Sequence, residues 1–455
     1  MRLSPLSALP LLLAGAAAFP ASPQSQTQNQ HPLVQLDNDH ASNGNRLDDV
    51  ISASPLLSFH RDIVRIESVT GDEKDVGEFI ISFLEARNFT VEKQIVPDNA
   101  GTGKGKERFN IYAYPASLSA PEILLTSHID TVPPFIPYSL SLPSATEEQD
   151  ETFNRDDILI SGRGSVDAKA SVAAQIFAVL HHLERDPSAK LGLLFVVGEE
   201  LHGDGMKYFS DSIPTSRPTL REKLHTVIFG EPTDFALVSG HKGMLMFTIT
   251  AKGQAAHSGY PWLGKSAVSA ILPALLRLDK LGDIPVEEGG LPSSKKYGKT
   301  TLNIGFVQAG VATNVVPASA HADVAVRLAG GTVPQAKEII RKAVRDATVN
   351  DKDVTVTFTD EGENANGNSY PPQDIDTDVP GFNVTTVNYG TDVPNLDLSF
   401  GEEGKYGRVK RYLYGPGSIF VAHGDHEGLR VWELEEAVRG YGRLIEAAVK
   451  RNPVS

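Results

Sequence analysis

The chain has 455 residues, a formal net charge of -15 and no cysteine. Its length suggests two or three domains, and its shares of 40% hydrophobic and 22% charged residues are typical of a globular enzyme. The acidic charge would repel phosphate backbones, so nucleic acid is not an expected partner. Because there is no thiolate, any metal ion must bind through His, Asp and Glu.

The N-terminus is typical of a secretory signal peptide over residues 1–18. Arg2 supplies the positive charge, and an apolar run from Ala8 ends in three alanines that fit a cleavage site. The run is shorter than the ~20 residues of a membrane span. We therefore expect a secreted, extracellular protein with no membrane partner, the alternative being a cytosolic enzyme with an unusual N-terminus. Asn88 and Asn383 lie in Asn-X-Thr sites and are candidate glycan acceptors.

Residues 19–54 are rich in Ser, Gln, Asn, Asp and Pro, which predicts a flexible leader. Helical and strand patterns then alternate, as in an α/β fold with a mostly parallel sheet and flanking helices. Residues 243–360 have the order β-α-β-β-α-β, which is that of a ferredoxin-like domain. We expect this lid to be inserted into a catalytic domain that is formed by residues 55–242 and 361–455.

The end of the chain predicts one more strand and a helix. Ser418–Ala422 is a short apolar run, and Glu433–Arg451 has helical spacing. Together they would complete the catalytic domain.

Three apolar runs that are typical of buried strands lead directly into ionisable side chains. His128 and Asp130 follow the first, Glu199 and Glu200 the second, and Glu231 the third. Ligands bind beyond the carboxyl ends of strands in such sheets. A solvated loop would explain any one of these ends, but three together predict a site.

The candidate metal ligands all precede or open loops beside a predicted strand or helix: His128, Asp167, Glu200, Glu231 and His423. Nitrogen and oxygen donors without sulfur suit zinc, with cobalt or manganese as substitutes. Five ligands are too many for one tetrahedral catalytic zinc, which uses three and a water. With one bridging carboxylate, they would serve two metals, which can activate water and polarise a carbonyl.

Seven motifs occur in the order of a known family: Ser127-His-Ile-Asp-Thr-Val-Pro133, Gly162-Arg-Gly-Ser-Val-Asp-Ala-Lys169, Gly198-Glu-Glu200, Gly230-Glu-Pro-Thr233, Gly253-Gln-Ala-Ala-His257, Asn314-Val-Val-Pro317 and Ala422-His-Gly-Asp-His-Glu427. From about Leu56 to Val449 the chain resembles the two-zinc metallopeptidases and deacylases that include aminoacylase, acetylornithine deacetylase, succinyl-diaminopimelate desuccinylase and bacterial glutamate carboxypeptidase. Relatives commonly have Asp-Met-Lys-Gly where this chain has Asp167-Ala-Lys-Ala170. The resemblance implies a cis peptide after that Asp.

The resemblance implies a role for each candidate ligand. Asp167 would bridge two zinc ions, with His128 and Glu231 on one of them and Glu200 and His423 on the other. His426 remains an alternative to His423, although only His423 stands four residues before Glu427, as the family pattern requires.

Two further residues beside the metals also receive roles from the resemblance. Glu199 would be the general base that moves a proton from water to the leaving nitrogen. Asp130 would accept a hydrogen bond from His128 and fix its tautomer.

The lid carries three residues that match functional positions of the family. His257 would stabilise the oxyanion, in several relatives from the partner subunit of a homodimer formed through the lid. Asn314 and Arg327 would bind substrate, and the Arg327 guanidinium could hold a carboxylate bidentately. A salt bridge at the end of a strand is the structural alternative for Arg327. The loop Gly390-Thr391-Asp392 resembles one that lies near the substrate.

These observations predict a secreted, zinc-dependent metallo-carboxypeptidase that hydrolyses the amide bond next to a free carboxylate. An N-acyl-L-amino acid deacylase on the same scaffold is the main alternative, since its substrate also carries that carboxylate. A catalytically inactive binding protein would have lost Glu199 or a ligand, and none is lost. A one-metal aminopeptidase would need an acidic pocket for the substrate amine, against which Arg327 argues.

Overall fold

The computed structural model describes residues 46–97, 106–142, 153–362, 368–399 and 407–451. The signal peptide expected at 1–18 lies outside these residues. Among the helices that are described, none is both long and apolar enough to cross a bilayer. The α/β fold with an inserted ferredoxin-like domain is confirmed.

The catalytic domain is built on a six-stranded sheet. Its strands are β1 Phe89–Val96, β2 Arg108–Pro115, β3 Ile123–His128, β6 Leu191–Val196, β7 Thr226–Gly230 and β15 Lys410–Tyr414. They lie in the order β1-β2-β6-β3-β7-β15. Strands β6, β3, β7 and β15 run parallel, whereas β2 is antiparallel to both β1 and β6. The carboxyl ends of β3, β6 and β7 therefore meet at one edge of the sheet.

Helices cover both faces of this sheet, and successive side chains of a strand face opposite sides. The helices are α1 (46–52), α2 Pro55–Arg65, α3 Lys74–Glu85, α4 Lys169–Arg185, α5 Asp204–Ser216, α6 Pro218–Lys223 and α9 Val431–Val449. Leu125 and Leu193 belong to the core shared with α2, α3, α4 and α9. Leu124 and Leu194 belong to the core shared with α5 and α6.

The prediction of a flexible leader over residues 19–54 is wrong for residues 46–52. Residues 46–52 are helical, and Leu47 and Ile51 are buried in the core of the catalytic domain. These two residues are four positions apart, so they share one face of the helix. Ser54 then caps α2 by accepting a hydrogen bond from the main-chain nitrogen of Leu57.

The prediction of a strand at Ser418–Ala422 is also wrong. The last strand of the large sheet, β15, already ends at Tyr414, because the chain turns through Gly415-Pro-Gly417, where Gly417 has a φ of 73°. Residues 419–423 form turns instead. The apolar run does not mark a buried strand, since Phe420 is 92% exposed.

The lid is a four-stranded antiparallel sheet with two helices. Its elements are β9 Gly243–Lys252, α7 Ala267–Leu281, β10 Thr301–Ala309, β11 Ser319–Leu328, α8 Val333–Ala347 and β12 Val354–Phe358. The strand order is β10-β11-β9-β12. Both helices pack on one face, where they share a core with alternate residues of β9.

The described residues also form two small three-stranded sheets. One contains β16 Gly428–Arg430, β5 Leu159–Ser161 and β4 Ser139–Ser141. The other contains β13 Gln373–Asp374, β8 Leu237–His241 and β14 Val384–Val387. The second sheet includes β8, which leads directly into β9 and the lid.

Candidate active site

The predicted ligands lie together at the carboxyl edge of the large sheet. His128 is the last residue of β3, Glu231 follows β7, and Asp167 precedes α4. Glu200 follows β6 after a turn at Gly198, which has a φ of 76°. A Cβ atom at Gly198 would lie only 2.5 Å from Nη2 of the buried Arg108. Glycine is therefore required at the turn that brings Glu199 and Glu200 to this edge.

Asp167 lies between two histidines. Its Oδ1 atom is 3.1 Å from Nε2 of His128, and its Oδ2 atom is 3.4 Å from Nε2 of His423. Oε2 of Glu200 is 3.1 Å from the same nitrogen of His423, and Oε2 of Glu231 is 3.9 Å from Nε2 of His128. Each carboxylate oxygen of Asp167 thus faces a different histidine, with Oδ1 towards His128 and Oδ2 towards His423.

Three of these residues form a compact potential metal site. One ligand atom each from His128, Asp167 and Glu200 lies within 4.8 Å of the others. His423 reaches this group and lines the adjoining cavity, whereas His426 does not line it. The geometry therefore favours His423 over His426 as a ligand.

The electrostatics of the cluster fit a bound cation. Burial, and then the charge of Asp167, raises the pKa of Glu200 to about 7. Burial likewise raises the pKa of Glu199 and Glu231 well above the usual range. Oε1 of Glu200 is buried without a hydrogen-bond partner among the described residues. Buried carboxylates are costly unless they are paired or coordinate a metal, so this donor set suits the metal that the residues predict.

Asp130 contacts more than His128. Nδ1 of His128 lies 3.0 Å from the main-chain oxygen of Asp130 but 3.5 Å from its Oδ1 atom. The Asp130 carboxylate instead accepts hydrogen bonds from the main-chain nitrogens of Glu199 and Glu200, at 3.1 and 3.2 Å, and from Thr70. It therefore holds the turn that carries the predicted base and one ligand.

A buried ion pair supports the cluster from behind, and sequence reasoning gave it no role. Nη1 of Arg163 donates to Oε2 of Glu427 at 2.8 Å, and Oε1 of Glu427 accepts from the main-chain nitrogens of Val166 and Asp167. Arg163 also donates to the main-chain oxygen of His423. The only sequence signal was that both residues lie inside the quoted motifs.

The departure at Asp167-Ala-Lys-Ala170 is accommodated in the structure. The Asp167–Ala168 peptide is cis, and Ala168 and Ala170 are fully buried. Nζ of Lys169 donates to the main-chain oxygens of Ile63 and Ile66 at 2.8 Å.

A cavity of about 270 Å³ lies between this cluster and the lid. Arg327 enters it from β11, and the loop residues Gly390 and Thr391 line it together with Tyr389. Among the described residues, no carboxylate lies within ion-pair distance of Arg327; its guanidinium contacts the sulfur of Met244 at 3.4 Å. Within the described part of the chain, Arg327 thus has no salt bridge that would explain it.

The other two predicted lid residues lie elsewhere. His257 and Asn314 are exposed and do not line the cavity of their own chain. They are close to each other, because His257 pairs with Val315 and the main-chain nitrogen of Ser258 donates to the oxygen of Asn314. They form one exposed corner of the lid.

Both predicted glycan acceptors are accessible. Asn88 lies in the turn between α3 and β1, and Asn383 directly precedes β14. Both side chains are exposed.

The comparisons with known proteins agree with this architecture. The family described as the peptidase dimerisation domain matches residues 239–352, which include most of the lid. A probable carboxypeptidase of Aspergillus oryzae is 61% identical over 441 residues, which cover 96% of this chain and 97% of the relative.

Solved structures share the fold. A tripeptidase from Staphylococcus aureus has a TM-score of 0.63 and 20% identity, covering 87% of this chain and 98% of that chain. An M20 family metallo-carboxypeptidase from Sulfolobus solfataricus has a TM-score of 0.62 and 15% identity, covering 87% of this chain and 99% of that one. The ligand residues His128, Asp167, Glu200, Glu231 and His423 form a metal-type cluster. This cluster, the extended identity to the fungal relative and the shared fold lead to one conclusion: the chain belongs to the M20 family of metallopeptidases.

Proposed function

We propose that this protein is a zinc-dependent carboxypeptidase that removes the C-terminal residue of peptides. The observation that carries the proposal is the position of Arg327, a cation without an acidic partner among the described residues, in the same cavity as the metal-type cluster. A guanidinium binds a carboxylate through two parallel hydrogen bonds. Arg327 would hold the free C-terminus while the adjacent amide bond lies at the cluster. The name of the Aspergillus oryzae relative supports this choice.

Two zinc ions would bind through His128, Asp167, Glu200, Glu231 and His423. Asp167 would bridge them, because its two oxygens already face His128 and His423. When bound, the pair would polarise the scissile carbonyl and lower the pKa of the attacking water. Nitrogen and carboxylate donors without sulfur also suit cobalt or manganese.

Glu199 would act as the general base. Glu199 lines the cavity next to the metal-type cluster, and its main chain is held by Asp130. It would take a proton from water at one Oε atom and deliver the proton to the leaving amide nitrogen, so that the C-terminal amino acid departs neutral at that nitrogen. The bond between the carbonyl carbon and the water oxygen would form first and give the oxyanion, and the carbon–nitrogen bond would then break as the nitrogen receives the proton.

We further propose a homodimer through the lid. The oxyanion donor predicted at His257 lies outside the cavity of its own chain, and the lid matches a peptidase dimerisation domain. A dimer would let His257 of the partner subunit reach the substrate. Sedimentation of the purified protein would test this: a monomer that retains full activity at all concentrations contradicts the proposal.

The reaction can be tested with matched substrates. Blocked dipeptides with a free C-terminus would be compared with their C-terminal amides and with N-acetyl amino acids that carry the same terminal residue. We expect the highest kcat/KM for the blocked dipeptide acids, alongside about two zinc ions per chain. Faster turnover of N-acetyl amino acids would instead assign the chain as a deacylase, and no turnover of either acid would favour a binding protein.

Secretion is proposed from the N-terminal sequence. Expression of the full chain in a fungal host should release protein into the medium whose N-terminus lies beyond residue 18. Treatment with a glycosidase should lower its apparent mass if Asn88 and Asn383, which are both exposed, carry glycans. Retention of the intact N-terminus inside the cell would contradict this proposal.

A further inference from the structure

The cavity has two chemically different ends. Its carboxylates and His423 belong to the metal-type cluster and to Glu199. Apart from Arg327, the rest of the lining among the described residues has no Asp, Glu, Lys or Arg; it includes Met244, Met246 and Tyr370 together with the polar Asn368 and Asn395. A substrate held by its carboxylate at Arg327 would therefore place its terminal side chain against this neutral end.

The alternation along β9 places both methionines at the cavity. Leu245 and Phe247 are buried in the lid core, so Met244 and Met246 lie on the opposite face of the sheet. The cross-strand partner of Met244 is Arg327. These positions follow from the strand register and do not depend on a flexible loop.

Small residues leave room beside the methionines. The cross-strand partner of Met246 is Ala325, which has only a methyl side chain. Gly390 also lies beside the guanidinium, where a Cβ atom would be 3.3 Å from Nη1 of Arg327 and 2.1 Å from the hydroxyl of Tyr370. The absence of a side chain at Gly390 thus lets the loop approach both groups.

Tyr370 forms a fixed wall of this end. Its main-chain nitrogen and oxygen pair with those of Met244 at 3.0 Å, and its ring packs edge-on against His241 with centroids 5.8 Å apart. Only 6% of Tyr370 is exposed. The ring is therefore held in place as an apolar surface next to Arg327.

The charges of the lining limit which terminal residues fit. Arg327 is the only Arg or Lys among the described residues that line the cavity. One guanidinium can hold one carboxylate, so a terminal Asp or Glu would bring a second carboxylate without a partner, which is costly to desolvate. A terminal Lys or Arg would bring its charge towards Arg327, and like charges repel.

We propose that the enzyme selects peptides whose C-terminal residue has a large apolar side chain, of the leucine, methionine or phenylalanine type. The subsite consists of Met244, Met246 and Tyr370 around Arg327. Two of the four methionines of the chain lie here, and methionine adapts its shape to different apolar partners. This inference rests on the proposed function, since it assumes that Arg327 holds the substrate carboxylate.

The test uses the zinc-loaded full protein and two substrate series. One series is benzyloxycarbonyl-glycyl-X and the other is N-acetyl-X, with X as Leu, Met, Phe, Gly, Glu or Lys. Apolar X should exceed Gly, Glu and Lys in kcat/KM by about tenfold or more, the range for a side chain in an apolar pocket. If only the N-acetyl series is hydrolysed, the carboxypeptidase proposal fails but the same order of X still tests the subsite.

A substitution that reverses the preference separates specificity from folding. Met246→Lys adds a second cation to the subsite and should raise the ratio of Glu to Leu turnover by about tenfold or more. Thr250→Lys is the matched control, because Thr250 lies on the same face of β9 but does not line the cavity. This control should leave the ratio unchanged.

Product binding gives a readout that needs no turnover. Free leucine should raise the melting temperature of the wild-type protein more than free glutamate does, and Met246→Lys should narrow that difference. Equal kcat/KM for Leu and Glu in both series, or a preference for Glu, would overturn the proposal. If neither series is hydrolysed, the proposed function fails, and equal thermal shifts with leucine and glutamate would then overturn the subsite as well.

Discussion

The Oδ1 atom of Asp130 lies 3.1 Å from the main-chain nitrogen of Glu199. Asp130 is fully buried, and its second carboxylate oxygen accepts from the next main-chain nitrogen, that of Glu200. One carboxylate at the end of β3 therefore fixes the turn after β6. This contact links the proposed general base to the metal-type cluster through the backbone, not only through His128.

The first prediction concerns Glu199. Glu199→Gln keeps the shape of the side chain and removes its basicity, so kcat should fall by ~10²–10⁴. Metal content should stay at the wild-type value, because Glu199 is not a predicted ligand. Glu222→Gln is the control, since Glu222 is an exposed residue of α6. Near wild-type turnover of Glu199→Gln would show that another group is the base.

The second prediction concerns metal removal and pH. Burial raises the pKa of Glu200 to about 7, and contact with Asp167 and Glu200 raises the pKa of His423 to about 10. In both cases the folded state binds protons more tightly than the unfolded state does. The contribution of Glu200 and His423 to the stability of the metal-free protein is therefore greatest at low pH. It is lost as the pH rises through their pKa values in the folded state.

Zinc competes with those protons, so its stabilising effect should grow with pH. The rise in melting temperature on adding zinc to chelator-treated protein should be larger at pH 8 than at pH 5.5. At a free zinc concentration 100 times the Kd, the gain in unfolding free energy is about 2.7 kcal/mol. Asp167→Asn, which removes the proposed bridge, should greatly reduce the gain. If the rise in melting temperature on adding zinc were the same at both pH values, zinc would not compete with these protons.

The third prediction concerns Arg327. Arg327→Ala should lower kcat/KM for blocked dipeptide acids by about 10- to 100-fold, since a hydrogen bond to a charged group contributes ~1.5–3 kcal/mol. The C-terminal amides lack that charge and should be affected far less. Arg345→Ala, an exposed position on α8, should change neither substrate. If the acid-to-amide ratio stayed the same in Arg327→Ala, Arg327 would be structural.

The fourth prediction concerns His257. His257→Ala should lower kcat for acids and amides alike, by the ~10²–10³-fold typical of losing an oxyanion donor. Mixing His257→Ala chains with Glu199→Gln chains should restore activity if the donor comes from the partner subunit, because one of the two sites in each mixed dimer is then complete. No recovery after subunit exchange would rule out a shared site.

The fifth prediction concerns the ion pair of Arg163 and Glu427. Glu427→Gln removes the charge that pairs with a buried guanidinium, and breaking such a pair costs ~3–5 kcal/mol. Zinc affinity should also fall by ~10–100-fold, because Glu427 holds the main chain at Asp167. Glu435→Gln breaks the more exposed pair with Arg155 and should cost ~0–1 kcal/mol. If Glu427→Gln and Glu435→Gln lost equal amounts of unfolding free energy and of zinc affinity, the role of Glu427 in positioning Asp167 would be refuted.

Local patterns of the sequence were sufficient to predict most of the elements. The apolar runs before His128, Glu199 and Glu231 predicted parallel strands, since a strand buried on both faces needs apolar side chains on both. The alternation in β9 and β11 predicted the lid sheet. The same kind of signal misled at Ser418–Ala422, where the chain forms turns and Phe420 is exposed. The polar composition of 19–54 misled at residues 46–52, where Leu47, Val50 and Ile51 pack against the core.

The site itself depends on contacts between residues that are far apart in the chain. The residue types in the motifs indicated a metal site, but not that Asp130 would bind the turn at Glu199 or that Glu427 would hold Asp167, 260 positions away. The tertiary structure also decided that Arg327 would share a cavity with the cluster while His257 would not. Side-chain periodicity follows from local backbone geometry, whereas these contacts arise only when separate strands and loops pack, so they leave no local pattern in the sequence.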